Sequence, residues 1–355
     1  MNLNTIMNRM TAWYESGMCF YLVSAPGRGK TTTIARAPEI IGKATGKRLG
    51  IVIINGGLLT PMHVLGFGLP KHSEGYSEMI FSQPFFWRTS EGKRLEEYDG
   101  GIIFVDEADK MDADVKKCVG EAALSGNFGP HKLPPGWIVW MAGNTAAHRS
   151  GSTKELDHLI NRRVQLEVTD DIVAWDDYAL THGVTPVCRH FANQNTALVF
   201  TDAVPDKQGP WCTPRSLVKI DEYHRILTKH NNGVMPHDSA VIEETAGAIG
   251  APTAAQLFAS YRLEREMPKF EKIVADPMGA KVPDKPDAHM MVVFNLAHRV
   301  DSKTLGPVIK YIERMPKDFA VTFAKSVSKR APALAIDPAM KVWSSSNASL
   351  LAALS

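Results

Sequence analysis

The residues best suited to chemistry lie between positions 21 and 32, where the chain reads YLVSAPGRGKTT. Glycine at positions 27 and 29 allows a backbone to approach an anion closely, and Lys30 supplies a positive charge that can reach phosphate oxygens. The hydroxyl of Thr31 can bind Mg²⁺. A short apolar run precedes the loop and a helix is predicted after it, which would direct backbone N–H groups at an anion. The stretch predicts a phosphate-binding loop for a nucleotide.

One position departs from the usual pattern of such loops. The pattern has glycine six residues before the lysine, and Ser24 stands there. Serine is small, so the prediction is kept; the alternative is a glycine-rich turn with a chance GKT. The residues predicted to bind the nucleotide are Ser24, Ala25, Pro26, Gly27, Arg28, Gly29, Lys30, Thr31 and Thr32.

A second chemical stretch, GIIFVDEAD, spans residues 101–109. Its four apolar residues are too hydrophobic for a strand that faces water, so a central place in a parallel sheet is predicted. Asp106 and Glu107 would follow at the carboxyl end, where open α/β sheets bind ligands. Asp106 is predicted to hold Mg²⁺ through water, and Glu107 to polarise an attacking water. The alternative is an ordinary strand end with solvated acids.

Amide and guanidinium groups further along could complete a site for a triphosphate. Asn144 lies at the tip of the strand predicted at residues 137–141, after Ala142 and Gly143. Its amide could hydrogen-bond the γ-phosphate or the attacking water. Arginine binds phosphate bidentately and stays charged. We therefore predict that Arg162, with Arg163 as its second, reaches the γ-phosphate of a neighbouring subunit. Arg215, in the first turn of a predicted helix, could fold back over the nucleotide.

The elements that must position these groups change character along the chain. Helices are predicted at residues 4–16, 31–42 and 108–123, strands at 20–23, 50–55, 101–105, 137–141 and 164–168, and a turn or hairpin at 125–135. Residues 56–89, rich in glycine and proline, are predicted to be irregular. Beyond residue 170, helices alone are predicted, at 171–181, 186–194, 213–228, 239–248, 251–267, 285–300 and 303–329.

Length and composition place the chain among globular proteins. It has 355 residues, of which 44% are hydrophobic and 22% charged, enough for two or three domains. The formal net charge of +2 argues against a nucleic-acid partner. Four widely spaced cysteines without a CxxC pattern predict reduced thiols and a cytoplasmic location. No apolar run is long enough for a membrane span, and no signal peptide is evident at the start.

Five short segments together resemble the motifs of AAA+ ATPases. They are SAPGRGKT for Walker A, IIFVDEAD for Walker B, AGN for sensor 1, LINRR for the arginine finger and TPRSL for sensor 2. The segment LPPGW at 133–137 and the region around 66–70 are similar to the MoxR-like branch. The resemblance implies a P-loop AAA+ parallel sheet flanked by helices, an all-α lid and a C-terminal helical extension. The corresponding domains are residues 1–168, 169–250 and 251–355. Arg163 departs from the family, which often has an aromatic residue there.

The resemblance further implies ATP and Mg²⁺ as cofactors and a homo-oligomeric, usually hexameric ring with ATP between subunits. Members of this branch remodel protein partners, often alongside a protein with a von Willebrand factor A domain. Three alternatives stay open: a nucleic-acid motor or loader of the AAA+ class, a small-molecule kinase, and an ATP-gated assembly switch with little turnover. An arginine supplied by a neighbour can raise the rate by ~10³–10⁵-fold, so an isolated subunit should be a poor ATPase.

Overall fold

The computed structural model describes residues 1–145, 160, 163–201 and 209–353. These residues form two compact units, one of residues 1–171 and the other of residues 172–201 and 209–353. The first unit contains a sheet with flanking helices, and the second unit is built from helices. The predicted fold class, an α/β sheet followed by a helical part, is confirmed.

In the described part of the first unit, five strands form a parallel sheet in the order β2-β5-β8-β1-β9. The central position predicted for residues 101–105 is confirmed, because β5 lies between β2 and β8. The register pairs Ser24 with Asn144 and Asn55 with Asp106, so the polar residues meet at one edge. The strands are β1 (Phe20–Ser24), β2 (Leu49–Asn55), β5 (Gly100–Asp106), β8 (Trp137–Asn144) and β9 (Val164–Glu167).

Side chains alternate between two hydrophobic layers that cover the sheet, as the pleat of a strand requires. Leu22, Phe104 and Trp140 belong to the layer packed on helices α1, α2 and α3. Val23 and Val105 belong to the layer packed on α4 and α5. The helices are α1 (Leu3–Glu15), α2 (Lys30–Ile34), α3 (Ala37–Thr45), α4 (Pro61–Leu65) and α5 (Ala113–Ser125).

Residues 56–89, predicted to be irregular, contain regular structure. Besides α4, strands β3 (Gly68–Ser73) and β4 (Tyr76–Phe81) pair as an antiparallel hairpin. All twelve strand residues are exposed, on both faces of the ribbon. The alternation expected of a half-buried strand is therefore missing from the sequence, which explains why the hairpin was not predicted. A second small hairpin, β6 (Asn127–Phe128) with β7 (His131–Lys132), lies within the segment predicted as a turn or hairpin.

Two predicted helices are interrupted at prolines. The helix after the phosphate-binding loop ends at Ile34, and α3 starts anew at Ala37 with Pro38 in its first turn. The helix predicted at residues 303–329 is two helices, separated before Lys317 by Pro316. Proline lacks the N–H that would bond to the carbonyl four residues earlier, and its ring clashes with that carbonyl. The preceding helices end at Ile34 and Ile312, each four residues before a proline, so each break has a local cause. The helix predicted at 108–123 opens as a short 3₁₀ turn, Ala108–Lys110.

The second unit has helices on both sides of the division predicted at residue 250. Helix α7 (Pro186–Gln194) contacts α11 (Ala251–Glu266) and α13 (Pro286–Arg299), which both follow residue 250 in the sequence. The separation into lid and extension stays a prediction. The helices are α6 (Ile172–Thr181), α7 (Pro186–Gln194), α8 (Thr196–Val199), α9 (Pro214–His230), α10 (Ser239–Ile249), α11 (Ala251–Glu266), α12 (Phe270–Ala275), α13 (Pro286–Arg299), α14 (Leu305–Ile312), α15 (Lys317–Arg330), α16 (Pro332–Ala335), α17 (Pro338–Ser346) and α18 (Ala348–Ala353).

Two buried polar contacts connect helices of this unit. The guanidinium of Arg189 on α7 is fully buried and pairs with Asp176 on α6 through Nε at 2.9 Å and Nη2 at 2.6 Å. His224 on α9 is also fully buried, with Nδ1 3.1 Å from the Tyr261 hydroxyl and Nε2 2.8 Å from the Thr245 hydroxyl. Among the described helices, none combines the length and apolar character needed to cross a membrane.

Candidate functional site

The predicted phosphate-binding loop connects β1 to α2 and holds Lys30 in a buried position. Gly27 and Gly29 have positive φ values of 75° and 81°, a conformation that glycine adopts without steric cost. The Lys30 ammonium donates to the Ser24 hydroxyl at 2.7 Å, the Ala25 carbonyl at 3.2 Å and the Ser24 carbonyl at 3.4 Å. The residue is only 7% exposed. The loop therefore curves around its own lysine.

The pair predicted to hold Mg²⁺ is in contact. The hydroxyl of Thr31, in the first turn of α2, donates a hydrogen bond to a carboxylate oxygen of Asp106. These residues are 75 positions apart in the chain, and the parallel sheet brings them together because both follow the carboxyl ends of strands. A hydroxyl and a carboxylate are oxygen ligands of the kind that Mg²⁺ prefers.

Glu107 lies directly after β5 with an unusual backbone. Its φ of 51° and ψ of 36° are in the left-handed region, which a non-glycine residue rarely adopts. The Glu107 N–H donates to Asp106 Oδ1 at 2.9 Å, and the Glu107 carboxylate accepts from Lys110 Nζ at 3.0 Å. Lys110 was not predicted to contribute to the site. Its spacing of three residues from Glu107 is the only signal that the sequence offers.

Asn144 joins the lysine to a second carboxylate. Its side-chain oxygen lies 3.4 Å from Lys30 Nζ, and its backbone N–H donates to Asp109 Oδ1 at 3.0 Å. Asp109 is 4% exposed, and its Oδ2 accepts no hydrogen bond from the described residues. The preceding residue, Gly143, leaves no room for a side chain: a Cβ there would lie 2.2 Å from the Tyr21 hydroxyl and 2.8 Å from Asp109 Oδ1. Sequence reasoning missed Asp109, although it is the third acid of the DEAD run.

Arg28 has a role within its own unit that the sequence did not indicate. Its side chain is 3% exposed and forms a salt bridge with Asp170 at 2.9 Å. The segment before Asp170 is fixed to strand β1 by the bond from Val168 N–H to the Val23 carbonyl, at 2.8 Å. The Arg28 guanidinium therefore connects the loop to the end of the sheet region. The exposed side chain of Thr32 lies on α2 beside the loop.

The three predicted arginines differ in what the structure shows. Arg162 lies outside the described residues. The Arg163 guanidinium lies over the Tyr21 ring at 3.9 Å and donates to Gln165 at 3.3 Å, so it packs within its own subunit. Burial raises the pKa of the nearby Cys19 thiol to about 12, while the charge of Arg163 acts in the opposite direction. Arg215 is exposed in the first turn of α9, in the second unit.

The donor set fits a magnesium nucleotide. Lys30 and the glycine-containing backbone supply groups for phosphate oxygens, and the Thr31–Asp106 pair supplies oxygens for Mg²⁺. Asn144 already accepts from Lys30, so its amide lies within reach of the same phosphate-binding region. When bound, the metal would neutralise charge on the phosphates. The residues that fit the ligand come from three separate motifs of the sequence.

The fold and the site define a P-loop α/β domain, with its loop, acids and polar amide at one edge of a parallel sheet. No protein-family model and no curated protein matches this chain. Among solved structures, the RuvB Holliday junction branch migration motor of Thermotoga maritima is similar at 14% identity and a TM-score of 0.39. That alignment covers 78% of this chain and 75% of RuvB.

Two further solved structures show the same kind of distant similarity. A putative ATPase from Cytophaga hutchinsonii is 12% identical, with a TM-score of 0.31 over 74% of this chain and 89% of that protein. NtrX from Brucella abortus, in complex with ADP, is 16% identical, with a TM-score of 0.38 over 98% of this chain and 68% of NtrX.

Proposed function

We propose that the chain is a Mg²⁺-dependent ATP hydrolase of the AAA+ class. One observation carries the proposal: Lys30 and Thr31 of the loop contact Asn144 and Asp106, respectively, which end two other strands of the sheet. A phosphate-binding lysine, a magnesium pair and a polar amide thus meet at one edge. Glu107, directly after Asp106, completes the set with a carboxylate.

The roles follow from the chemistry of phosphoryl transfer. Lys30 binds β- and γ-phosphate oxygens as a point charge, and Thr31 with Asp106 holds the metal. Glu107 orients and polarises the attacking water as it accepts the developing proton. Asn144 donates to the γ-phosphate or the water, where charge develops. Removing the carboxylate of Glu107 should therefore affect the chemical step more than binding.

Steady-state hydrolysis of Mg²⁺-ATP and nucleotide affinity, measured on the same preparations, test this proposal. Glu107→Gln should lose about 10²-fold or more of the turnover while it retains ATP affinity, because general-base contributions are of this order. Lys30→Ala should lose affinity. Glu91→Gln, which alters an exposed acid outside the motifs, is the matched control and should behave like the wild type. Unchanged turnover in Glu107→Gln would exclude the proposed mechanism.

We further propose that the active form is a ring of six subunits. In this ring, Arg162 of one subunit reaches the nucleotide bound to the next subunit, and Arg163 is the second arginine of the finger. The support is the resemblance of LINRR to an arginine-finger motif. Mass photometry of Glu107→Gln with and without Mg²⁺-ATP tests it, because slow hydrolysis would preserve the nucleotide-bound assembly. A mass near six subunits with ATP is expected. A monomer under both conditions would refute the ring and favour the ATP-gated switch or the small-molecule kinase.

The resemblance to the MoxR-like branch also supports a protein client in the cytoplasm, one with a von Willebrand factor A domain. Arg215 would transmit the nucleotide state to the helical unit. The test is capture of proteins on ATP-bound Glu107→Gln compared with Lys30→Ala, followed by reconstitution with the purified candidate. Stimulation of ATP turnover by that candidate is expected. Stimulation by DNA or RNA instead, with steep salt dependence, would favour the nucleic-acid alternative.

A further inference from the structure

The departure from the usual phosphate-binding pattern occupies a defined place in the site. Ser24 ends β1, is 3% exposed and pairs in register with Asn144 of the neighbouring strand. Its hydroxyl donates to the Ala25 carbonyl at 2.8 Å and accepts from Lys30 Nζ at 2.7 Å. Because its proton is committed to Ala25, the oxygen presents its lone pairs to Lys30. Glycine at this position would offer no such acceptor.

The Lys30 ammonium lies 2.7 Å from the Ser24 hydroxyl, closer than to three other acceptors around it. The other acceptors, the carbonyls of Ser24 and Ala25 and the side chain of Asn144, lie at 3.2–3.4 Å. An ammonium has three N–H groups, so these four acceptors already exceed its donors. A phosphate oxygen that accepts from Lys30 must therefore displace at least one of them.

The position of the hydroxyl indicates which contact is lost. Ser24 belongs to a strand that is hydrogen-bonded to β8 and β9, whereas the ammonium of Lys30 is at the end of a flexible four-carbon chain. When a phosphate attracts the ammonium, Lys30 moves and Ser24 does not. Hydrogen bonds to charged groups are stronger than neutral ones, so losing the one to Ser24 opposes binding.

We propose that Ser24 sets the nucleotide affinity of this site, because its hydroxyl competes with phosphate for Lys30. The inference rests on the proposed function, since it concerns the same loop. It makes Ser24 a positioning residue that holds the lysine within the loop and weakens nucleotide binding. Replacing the hydroxyl should therefore tighten binding, the opposite of what is expected for a residue that only helps to bind phosphate.

The first measurement is the affinity of the full chain for Mg²⁺-ADP and a slowly hydrolysed ATP analogue. Ser24→Ala should bind both more tightly than the wild type, by about tenfold or more, the size that corresponds to one hydrogen bond to a charged group. Ser24→Gly should change affinity in the same direction, which would assign the effect to the hydroxyl rather than to the Cβ atom. Ser326→Ala removes a comparably buried hydroxyl from the second unit and should leave affinity unchanged. Equal or weaker binding by folded Ser24→Ala overturns the proposal.

A second measurement needs no nucleotide. Acetylation of the intact chain, followed by peptide mass spectrometry, reports how accessible the Lys30 amine is. Lys30 should react faster in Ser24→Ala than in the wild type or in Ser326→Ala. If no protein binds nucleotide, the proposed function fails, and the affinity role of Ser24 fails with it. If the wild type binds nucleotide but Lys30 reacts equally fast in Ser24→Ala and in the wild type, the Ser24 proposal is overturned and the proposed function is not.

Discussion

Replacing Gly143 by alanine tests whether packing behind Asn144 controls the site. The added Cβ would lie 2.2 Å from the Tyr21 hydroxyl and 2.8 Å from Asp109 Oδ1, whereas ordinary contact begins at 3.4 Å. Neither neighbour can withdraw easily. The Tyr21 ring is covered by the Arg163 guanidinium, and Asp109 is buried and bonded to the Asn144 N–H. A displacement of about 1 Å is therefore needed somewhere in this cluster.

The displacement has two consequences of different size. Overpacking a well-packed core costs about 1–3 kcal/mol of unfolding free energy. A shift of about 1 Å in a group that contacts the reacting atoms costs roughly 10²-fold in rate. Because Asp109 holds the backbone of Asn144, the shift should reach the Asn144 amide. Gly143→Ala is therefore expected to lose stability moderately and turnover strongly, with nucleotide affinity changed less.

Urea unfolding and steady-state ATP hydrolysis, performed on the same preparations, measure the two effects. The control is Gly247→Ala: Gly247 is exposed inside helix α10, and a Cβ there would meet nothing within 4 Å. This control should gain about 0.5–1 kcal/mol, the usual effect of alanine in place of glycine in a helix. If Gly143→Ala unfolds at the wild-type urea concentration, the packing argument is wrong. If it is destabilised but hydrolyses ATP normally, the connection to Asn144 is wrong.

Two further predictions concern the second unit. Burial, with a smaller contribution from the charge of His237, lowers the pKa of His224 to about 4. The folded state therefore favours the neutral ring, and its contribution to the free energy of unfolding should be complete above pH 6.5 and lost as the pH falls towards 4. The loss is of the order of 3 kcal/mol, and the pH dependence of the melting temperature should be shallower in His224→Gln. Asp176→Ala should cost about 3–5 kcal/mol because it leaves the Arg189 guanidinium buried without its partner. Urea unfolding would measure that loss, and exposed Asp114→Ala, with a cost below about 1 kcal/mol, is the comparison.

The part of the site that could be predicted from the sequence has local signals. Glycine spacing around Lys30 and an apolar run before Asp106 are properties of short segments, and the parallel order then brings their ends together. Asp109 and Gly143 could not be predicted in this way. Their importance depends on the contact between the turn after β5 and the end of β8, which is fixed by tertiary packing. The left-handed backbone of Glu107 likewise has no sequence signal, because glycine is the usual residue there.

Departures from the predicted elements had two physical causes. Pro38 and Pro316 interrupted helices whose apolar spacing continued across them. The β3–β4 hairpin was missed because neither face is buried, so burial left no period-2 pattern in the sequence. Where a segment packs on the sheet or within the helical unit, the pattern was informative. In the exposed hairpin, backbone pairing and cross-strand contacts such as the Lys71–Glu78 ion pair at 3.1 Å define the structure.

The exposed hairpin offers a practical position for a spectroscopic label. Glu74, in its turn, is exposed, so it can be replaced by cysteine with little disturbance. Three of the native cysteines, Cys19, Cys188 and Cys212, are buried. The pKa of the half-buried Cys118 thiol is raised by burial and, to a smaller extent, by the negative charge of Asp114. Maleimide dyes react with thiolates, so the introduced thiol should be modified first. Fluorescence from that position would then show whether the surroundings of the hairpin change when nucleotide is exchanged.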